Sequence, residues 1–192
     1  MAGFRTFTAV LDACVLYPAP LRDLLLSLAV DGVYRARWTN EIQDEWIRNI
    51  LVTRPDLSEE KLRRTQQIMN SAIEDCLIFG YQNFTDTLQL PDENDRHVLA
   101  AAIVGHADAI VTFNLKDFPE SALSIFGIEA IHPDDFVMLQ YDLNSIGVLA
   151  AIKAMRARLV NPSKTVAEFL EKLEAQGLPQ TCQELKNAAD LI

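Results

Sequence analysis

Val10-Leu11-Asp12-Ala13-Cys14-Val15-Leu16 is the stretch that decides the fold. The residues from Phe7 to Leu11 are apolar or favour β-structure, and they lead directly into the carboxylate of Asp12. A parallel strand that is covered on both faces reads as such a continuous apolar run. An acid just past its end lies at the carboxyl edge of the sheet, where open α/β folds bind ligands. Asp12 is therefore either a ligand-binding acid or the cap of the next helix, and the other acids must decide.

The composition is that of a globular chain. Its 192 residues suffice for one domain with or without an appendage, and 49% of them are hydrophobic. No apolar stretch reaches the roughly 18–20 residues that cross a bilayer, and no basic segment precedes an apolar run at the N-terminus. We therefore expect a cytoplasmic protein without a membrane partner. The three cysteines lie far apart without CxxC spacing, which argues against a zinc site or a disulfide framework.

The chain is acidic, with a formal net charge of −10. Affinity for a polyanion comes largely from Lys and Arg side chains that neutralise phosphates, so this charge disfavours non-specific binding to nucleic acid. Nucleic acid remains a candidate substrate if cations bridge the acids to phosphate. The charge also suits a protein that a basic partner neutralises.

Apolar runs that read as strands alternate with segments of helical periodicity over the first three quarters of the chain. The strands are predicted at residues 7–11, 33–38, 76–79, 109–112 and 128–131. This alternation predicts an α/β fold with a largely parallel sheet of about five strands, flanked by helices and joined by right-handed crossovers.

The pattern becomes purely helical from about residue 143. We therefore divide the chain into an α/β domain, 1–142, and a C-terminal α-helical extension, 143–192, packed on the domain or on a partner. Thr165-x-x-Glu168 and Thr181-x-x-Glu184 read as capping boxes that begin two helices of this extension.

Four acids are candidates for one site. Asp12 and Asp117 follow neighbouring strands, Asp95 lies at a helix start, and Glu45 lies on a helix predicted to face them. Carboxylates held a few ångströms apart repel and raise one another's pKa. Mg²⁺ and Mn²⁺ prefer oxygen ligands and relieve that repulsion. One or two such ions can generate hydroxide and stabilise the leaving oxygen of a phosphodiester.

Several neighbouring residues have competing interpretations. Glu41 precedes Glu45 by one helical turn on the same face, which makes it an alternative helix acid. Cys14 is more readily a small buried thiol than a site residue. His97 follows Asp95 by two residues and is expected near the site on that ground alone. Trp46, Ile47 and Ile50 form an apolar stripe that serves either the core or a partner, and the core is favoured.

Four segments together resemble the PIN-domain family, of the type found in VapC-like bacterial ribonuclease toxins. The resemblance covers about residues 5–141 and rests on the segments in their order along the chain. They are Val10-Leu11-Asp12, Thr39-x-x-Ile42-x-x-Glu45, Asp95-x-x-Val98-Leu99-Ala100-Ala101-Ala102 and Ile110-Val111-Thr112-Phe113-Asn114-Leu115-Lys116-Asp117-Phe118.

The resemblance implies a Rossmann-like sheet and a Mg²⁺- or Mn²⁺-dependent endoribonuclease acting on RNA. Carried over by position, it makes Asp12 and Asp95 metal ligands and Glu45 the helix acid of the same site. It also implies a toxin that a cognate antitoxin protein neutralises, and a homodimer.

Position 114 departs from the family pattern. Many members have Asp directly after the Thr-x pair, whereas this chain has Asn114. An amide oxygen can ligate a metal or its water but brings no charge. Asp117, one loop step further, is the candidate for the missing carboxylate or else a helix cap. The resemblance leaves open whether one or two ions bind.

Two other functions stay open on the sequence. Asn114 and the acidic balance motivate one alternative to the ribonuclease, a PIN-fold binding or regulatory module that has lost activity. A less favoured alternative is a DNA nuclease of related fold. Haloacid-dehalogenase-like phosphatases also begin with a strand-end Asp, but they need Asp-x-Asp where this chain has Cys14.

Overall fold

A parallel sheet of four strands lies at the centre of the molecule. The computed structural model describes residues 6–192, so the first five residues of the predicted 1–142 domain lie outside the described part. The strands run in the spatial order β2-β1-β3-β4. They are β1 (Thr8–Leu11), β2 (Arg35–Arg37), β3 (Ala109–Val111) and β4 (Glu129–Ile131). The α/β architecture with a parallel sheet and flanking helices is confirmed.

Helices connect the strands and form the C-terminal part of the described chain. They are α1 (Ala13–Leu16), α2 (Ala19–Val30), α3 (Asn40–Thr53), α4 (Glu59–Ala72), α5 (Gln82–Thr85), α6 (Arg96–Val104), α7 (Glu120–Leu123), α8 (Pro133–Leu143), α9 (Ser145–Ala157), α10 (Val166–Glu174) and α11 (Pro179–Asn187). Short 3₁₀ turns precede α6 at Glu93–Asp95 and follow β3 at Leu115–Asp117. No helix within residues 6–192 combines the length and apolarity that a membrane crossing requires.

β1 is the central strand, and its position fixes the site. All four of its residues are buried, as expected for a strand covered on both faces. Val10 pairs with Arg37 of β2 on one side and with Ile110 of β3 on the other. The ladder continues past the end of β1, since the backbone N–H of Asp12 donates to the carbonyl of Val111 at 3.1 Å. The residues after β1 and β3 therefore leave the sheet side by side.

The strand predicted at 76–79 is shorter than expected. Its only ladder contact among the described residues is a parallel bridge between Leu77 and Trp38. Trp38 donates to the carbonyl of Cys76 and accepts from the N–H of Ile78, both at 2.9 Å. The neighbouring chain turns away at once, because Thr39 caps α3 by accepting from the N–H of Ile42 at 3.1 Å. The sheet consequently has four strands rather than about five.

The apolar stripe of α3 belongs to the core. Trp46 and Ile47 are 0% and 1% exposed and Ile50 is 8% exposed, so the favoured interpretation of these residues is correct. The opposite face of α3 carries Glu41 and Glu45 toward α6. Burial of the stripe therefore fixes which way these two acids point.

The C-terminal helices pack on the α/β part, with α9 against α2 and α11 against α8. Thr165 and Glu168 form the predicted capping box of α10. The prediction that Thr181 begins a helix is wrong, because α11 already begins at Pro179. Its first turn is held by Asp134 of α8, a buried carboxylate that accepts from the N–H groups of Gln180 and Thr181, each at 2.9 Å. The carboxylate of Asp134 on α8 thus caps α11 in place of the predicted cap at Thr181.

Candidate metal centre

Asp12 lies between the end of β1 and the start of α1 and is only 4% exposed. Its Oδ1 accepts from the N–H of Ala13 at 2.6 Å, so it does cap the following helix. Its Oδ2 accepts from the Thr112 hydroxyl at 2.7 Å and from the Cys14 thiol at 3.1 Å. Burial raises the pKa of Asp12, which these hydrogen bonds counteract and the charge of Glu45 reinforces. The helix-cap and site interpretations of Asp12 are therefore compatible.

Thr112 and Cys14 tie the two strand ends together. The Thr112 hydroxyl lies 3.3 Å from the Cys14 sulfur and also accepts from the N–H of Asn114 at 3.0 Å. The Cys14 sulfur in turn accepts from the N–H of Phe113 at 3.3 Å. Burial, followed by the charge of Asp12, raises the pKa of Cys14 to about 12, so its thiol stays protonated and acts as a hydrogen-bond donor. The sequence offered one signal for this role, the position of Cys14 two residues after Asp12.

Asp95 closes the 3₁₀ turn that leads into α6 and is half-buried. Burial raises its pKa to about 7, and the charges of Asp12, Asp92, Asp117 and Glu45 act in the same direction. The neighbouring cation does not relieve this, because Arg96 pairs with Glu93 at 2.8 Å. The charges of the other three predicted acids, Asp12, Glu45 and Asp117, therefore all raise the pKa of Asp95.

Glu45 faces α6 from α3, and its side chain is 30% exposed. Its Oε2 lies 3.5 Å from Nε2 of His97, the second residue of α6. The other ring nitrogen of His97 lies 3.9 Å from Oε2 of Glu41, one turn earlier on α3. Burial lowers the pKa of His97, but Glu45, Glu41 and Asp12 outweigh this effect and raise it overall. Glu45 and Glu41, the two candidates for the helix acid, thus lie beside different nitrogens of the same imidazole ring.

Asn114 and Asp117 lie on the loop after β3. The side chain of Asn114 is exposed, and its backbone N–H provides the contact with Thr112. Asp117 is half-buried at the end of the 3₁₀ turn, and its charge helps to raise the pKa of Asp95. Asp117 therefore acts on the acidic cluster through its charge, whereas Asn114 adds none.

The donor atoms suit a hard divalent cation, although the side chains are not arranged as a complete coordination site. Within residues 6–192, no three His, Cys, Asp or Glu side chains are arranged to hold a metal ion as they stand. The oxygens of Asp12, Glu45, Asp95 and Asp117 are nevertheless the ligand type that Mg²⁺ and Mn²⁺ prefer. The raised pKa values of Asp12 and Asp95 show that their ionised carboxylates are unfavourable in the metal-free fold. A bound cation would stabilise these carboxylates.

Comparison with known proteins identifies the family. A family model described as PIN domain matches residues 8–116, which is more than half of the chain. A second model, described as VapC50 C-terminal domain, matches residues 133–187. The chain therefore belongs to the PIN-domain family, as the four sequence segments indicated.

One relative refines this assignment. The Mycobacterium tuberculosis (strain ATCC 25618 / H37Rv) protein named "Putative ribonuclease VapC50" is 41% identical over 102 residues, which are 53% of this chain and 59% of that protein. The chain is thus similar to a member of the VapC group but spans under two thirds of that relative's length. No solved structure matches the chain.

Proposed function

We propose that this protein is a divalent-metal-dependent endoribonuclease that cleaves RNA phosphodiester bonds, and that it is the toxin of a toxin–antitoxin pair. The supporting observation is the electrostatic convergence of Asp12, Glu45, Asp95 and Asp117 beside the carboxyl ends of β1 and β3. The name of the VapC50 relative supports RNA as the substrate. Within residues 6–192, no Lys or Arg forms a salt bridge with these acids and the imidazole of His97 contacts only Glu45 among them, which supports a metal ion as the balancing positive charge.

Each residue has a distinct part in the proposed centre. Asp12 would hold the ion through its carboxylate, which Thr112 and Cys14 orient by donating hydrogen bonds to Oδ2. Glu45, Asp95 and Asp117 would add oxygens from α3, the turn before α6 and the loop after β3. When bound, the ion supplies hydroxide near neutral pH and stabilises the leaving oxygen of the phosphodiester. Asn114 adds an amide oxygen without charge, which favours one strongly bound ion over two.

Cleavage of a labelled RNA oligonucleotide with Mg²⁺ or Mn²⁺ tests the activity. We expect cleavage by the wild type and loss of at least about 100-fold in Asp12→Asn and Glu45→Gln. Asp44→Asn is the matched control, since Asp44 neighbours Glu45 in sequence but is half-exposed and pairs with Arg63. Equal cleavage by all four proteins would mean that a contaminant cuts the RNA. Cleavage of DNA but not RNA would support the DNA-nuclease alternative.

Asn114 motivates a second candidate, a binding or regulatory module with little catalysis. Calorimetric titration with MnCl₂ distinguishes the two. Saturable binding that disappears in Asp12→Asn, together with RNA cleavage, supports the nuclease. Saturable binding without cleavage supports the module instead.

The partner proposal rests on charge and on the VapC likeness. A chain with a net charge of −10 is suited to a partner that presents basic residues. We expect the reading frame beside this gene to encode a small DNA-binding protein that co-purifies with the chain and suppresses RNA cleavage. Light scattering of the chain alone tests the proposed homodimer, and a monomeric mass would contradict it.

A further inference from the structure

His97 is a buried group beside the acids that the proposed mechanism does not use. It is 7% exposed, and its Nδ1 has no hydrogen-bond partner among the described residues. A buried polar atom of this kind usually has a partner or a function. The two carboxylates nearest to it come from the same helix, on the side of α3 that faces α6.

The two ring nitrogens face different acids. Nε2 lies 3.5 Å from Oε2 of Glu45, and Nδ1 lies 3.9 Å from Oε2 of Glu41. Two ligand atoms that are each about 2.1 Å from one ion are about 3.0–3.5 Å apart, depending on the angle between them. The 3.5 Å spacing between His97 Nε2 and Glu45 Oε2, which pair directly here, lies at the upper end of that range, so one ion could bind both atoms.

Glu41 completes the arrangement on the far side of the ring. A histidine that ligates a metal through one nitrogen almost always donates its other N–H to a carboxylate, a carbonyl or water, which fixes the tautomer and the ring orientation. Glu41 offers such a carboxylate to Nδ1. Glu41 is itself held in place, since the Tyr81 hydroxyl donates to its Oε2 at 2.8 Å.

We propose that His97 Nε2 is a metal ligand beside Glu45, oriented by Glu41 and Tyr81, and that the centre consequently selects Mn²⁺ over Mg²⁺. This inference rests on the proposed metal centre and deepens it. Imidazole suits transition metals, whereas Mg²⁺ takes oxygen ligands. The competing acids on α3 then have separate roles, with Glu45 on the ion and Glu41 on the imidazole.

Metal titration of the purified full chain, without RNA, tests the selectivity. We expect the wild type to bind Mn²⁺ more tightly than Mg²⁺. His97→Gln, which keeps a polar side chain but no imidazole, should weaken Mn²⁺ binding by about 100-fold and leave Mg²⁺ binding nearly unchanged. Glu41→Gln should weaken Mn²⁺ binding by about 10-fold. His106→Asn is the control, because His106 is exposed just past the far end of α6.

Pulsed electron paramagnetic resonance of the Mn²⁺-loaded chain gives a direct readout. Coupling of the ion to an imidazole ¹⁴N nucleus should appear in the wild type and in His106→Asn and should vanish in His97→Gln. Saturable Mn²⁺ binding without this coupling would overturn the role of His97 and leave the metal centre intact. Failure of both metals to bind, or full Mn²⁺ binding by Asp12→Asn, would instead overturn the proposed centre itself.

Discussion

The hydroxyl of Thr112 donates a 2.7 Å hydrogen bond to Oδ2 of Asp12, joining two residues that are 100 positions apart in the chain. Both residues directly follow strands of the sheet, and the pairing of β1 with β3 sets the two strand ends side by side. The same hydroxyl accepts from the N–H of Asn114. One side chain therefore sets the direction of the central acid and the course of the loop that carries Asn114 and Asp117.

Replacing Thr112 tests this link. Thr112→Val keeps the shape but leaves the N–H of Asn114 without its acceptor and Asp12 without its shortest side-chain donor. We expect a loss of about 1–3 kcal/mol in the free energy of unfolding, measured with urea. Thr112→Ser keeps the oxygen and should stay within about 1 kcal/mol of the wild type. Equal losses in both variants would mean that packing of the methyl group, rather than the hydroxyl, is what matters.

The raised pKa of Asp95 predicts an unusual pH dependence of the stability of the metal-free protein. Its pKa rises from 3.8 to about 7 on folding, so the folded state binds more protons than the unfolded state between these values. The free energy of unfolding therefore falls as the pH rises through that window. In EDTA at pH 8, Asp95→Asn should raise the melting temperature by about 2–4 °C, and the gain should narrow at pH 5.

A bound divalent metal should reverse the order of the melting temperatures of Asp95→Asn and the wild type. With saturating Mn²⁺ the wild type gains binding free energy that Asp95→Asn has lost, and it should become the more stable of the two. Asp86→Asn, an exposed acid on another segment, serves as the control and should change little under either condition. A melting temperature for Asp95→Asn that never exceeds that of the wild type in EDTA would contradict the proposed repulsion at Asp95.

Asn114→Asp restores a carboxylate at the position where many family members have one. The added charge should raise Mn²⁺ affinity roughly tenfold, equivalent to about 1.4 kcal/mol, measured by calorimetry. It should also lower the stability of the metal-free protein, because it adds a like charge to the loop that carries Asp117, whose charge already acts on Asp95. Asn114→Ala keeps the backbone N–H that contacts Thr112 and should leave stability unchanged. Unaltered metal affinity in Asn114→Asp would place this side chain outside the centre.

The contacts of Asp134 hold the start of α11 against α8. Its buried carboxylate accepts two backbone hydrogen bonds at the start of α11, so Asp134→Ala should cost about 2–4 kcal/mol in the free energy of unfolding. The adjacent Asp135 is exposed and accepts from the side chain of Gln180 rather than from the backbone of α11. Asp135→Ala should therefore change stability by less than about 0.5 kcal/mol. Similar losses in the two variants would contradict the docking role of Asp134.

Sequence reasoning reached the parts of the fold that depend on local pattern. β1 and β3 are continuous apolar runs because both faces are buried, and α3 shows its stripe because one face is buried. The pattern did not reveal that the partner of residues 76–79 turns away at Thr39, which leaves a single bridge. It also misplaced the start of α11, because the cap comes from Asp134, 45 residues before Pro179.

The site was predictable to the same degree. Acids at strand ends are visible in the sequence, and Asp12, Glu45, Asp95 and Asp117 were all named from their positions. The contacts of His97 with Glu41 and Glu45 were not, since they depend on how α6 packs beside α3. The sequence placed Cys14 beside Asp12 but did not show that its thiol acts as a donor, because that follows from burial and the charge of Asp12.

The partial burial of Cys14 also affects the reactivity of its thiol. Alkylating agents and oxidants attack the thiolate, and a thiol whose pKa is raised to about 12 forms almost none at neutral pH. In the metal-free protein, Cys14 is therefore expected to react slowly with peroxide or iodoacetamide while it donates a hydrogen bond to Asp12. A bound cation beside Asp12 would lower the pKa of this thiol, so faster alkylation on addition of Mn²⁺ would report that the ion has entered the site.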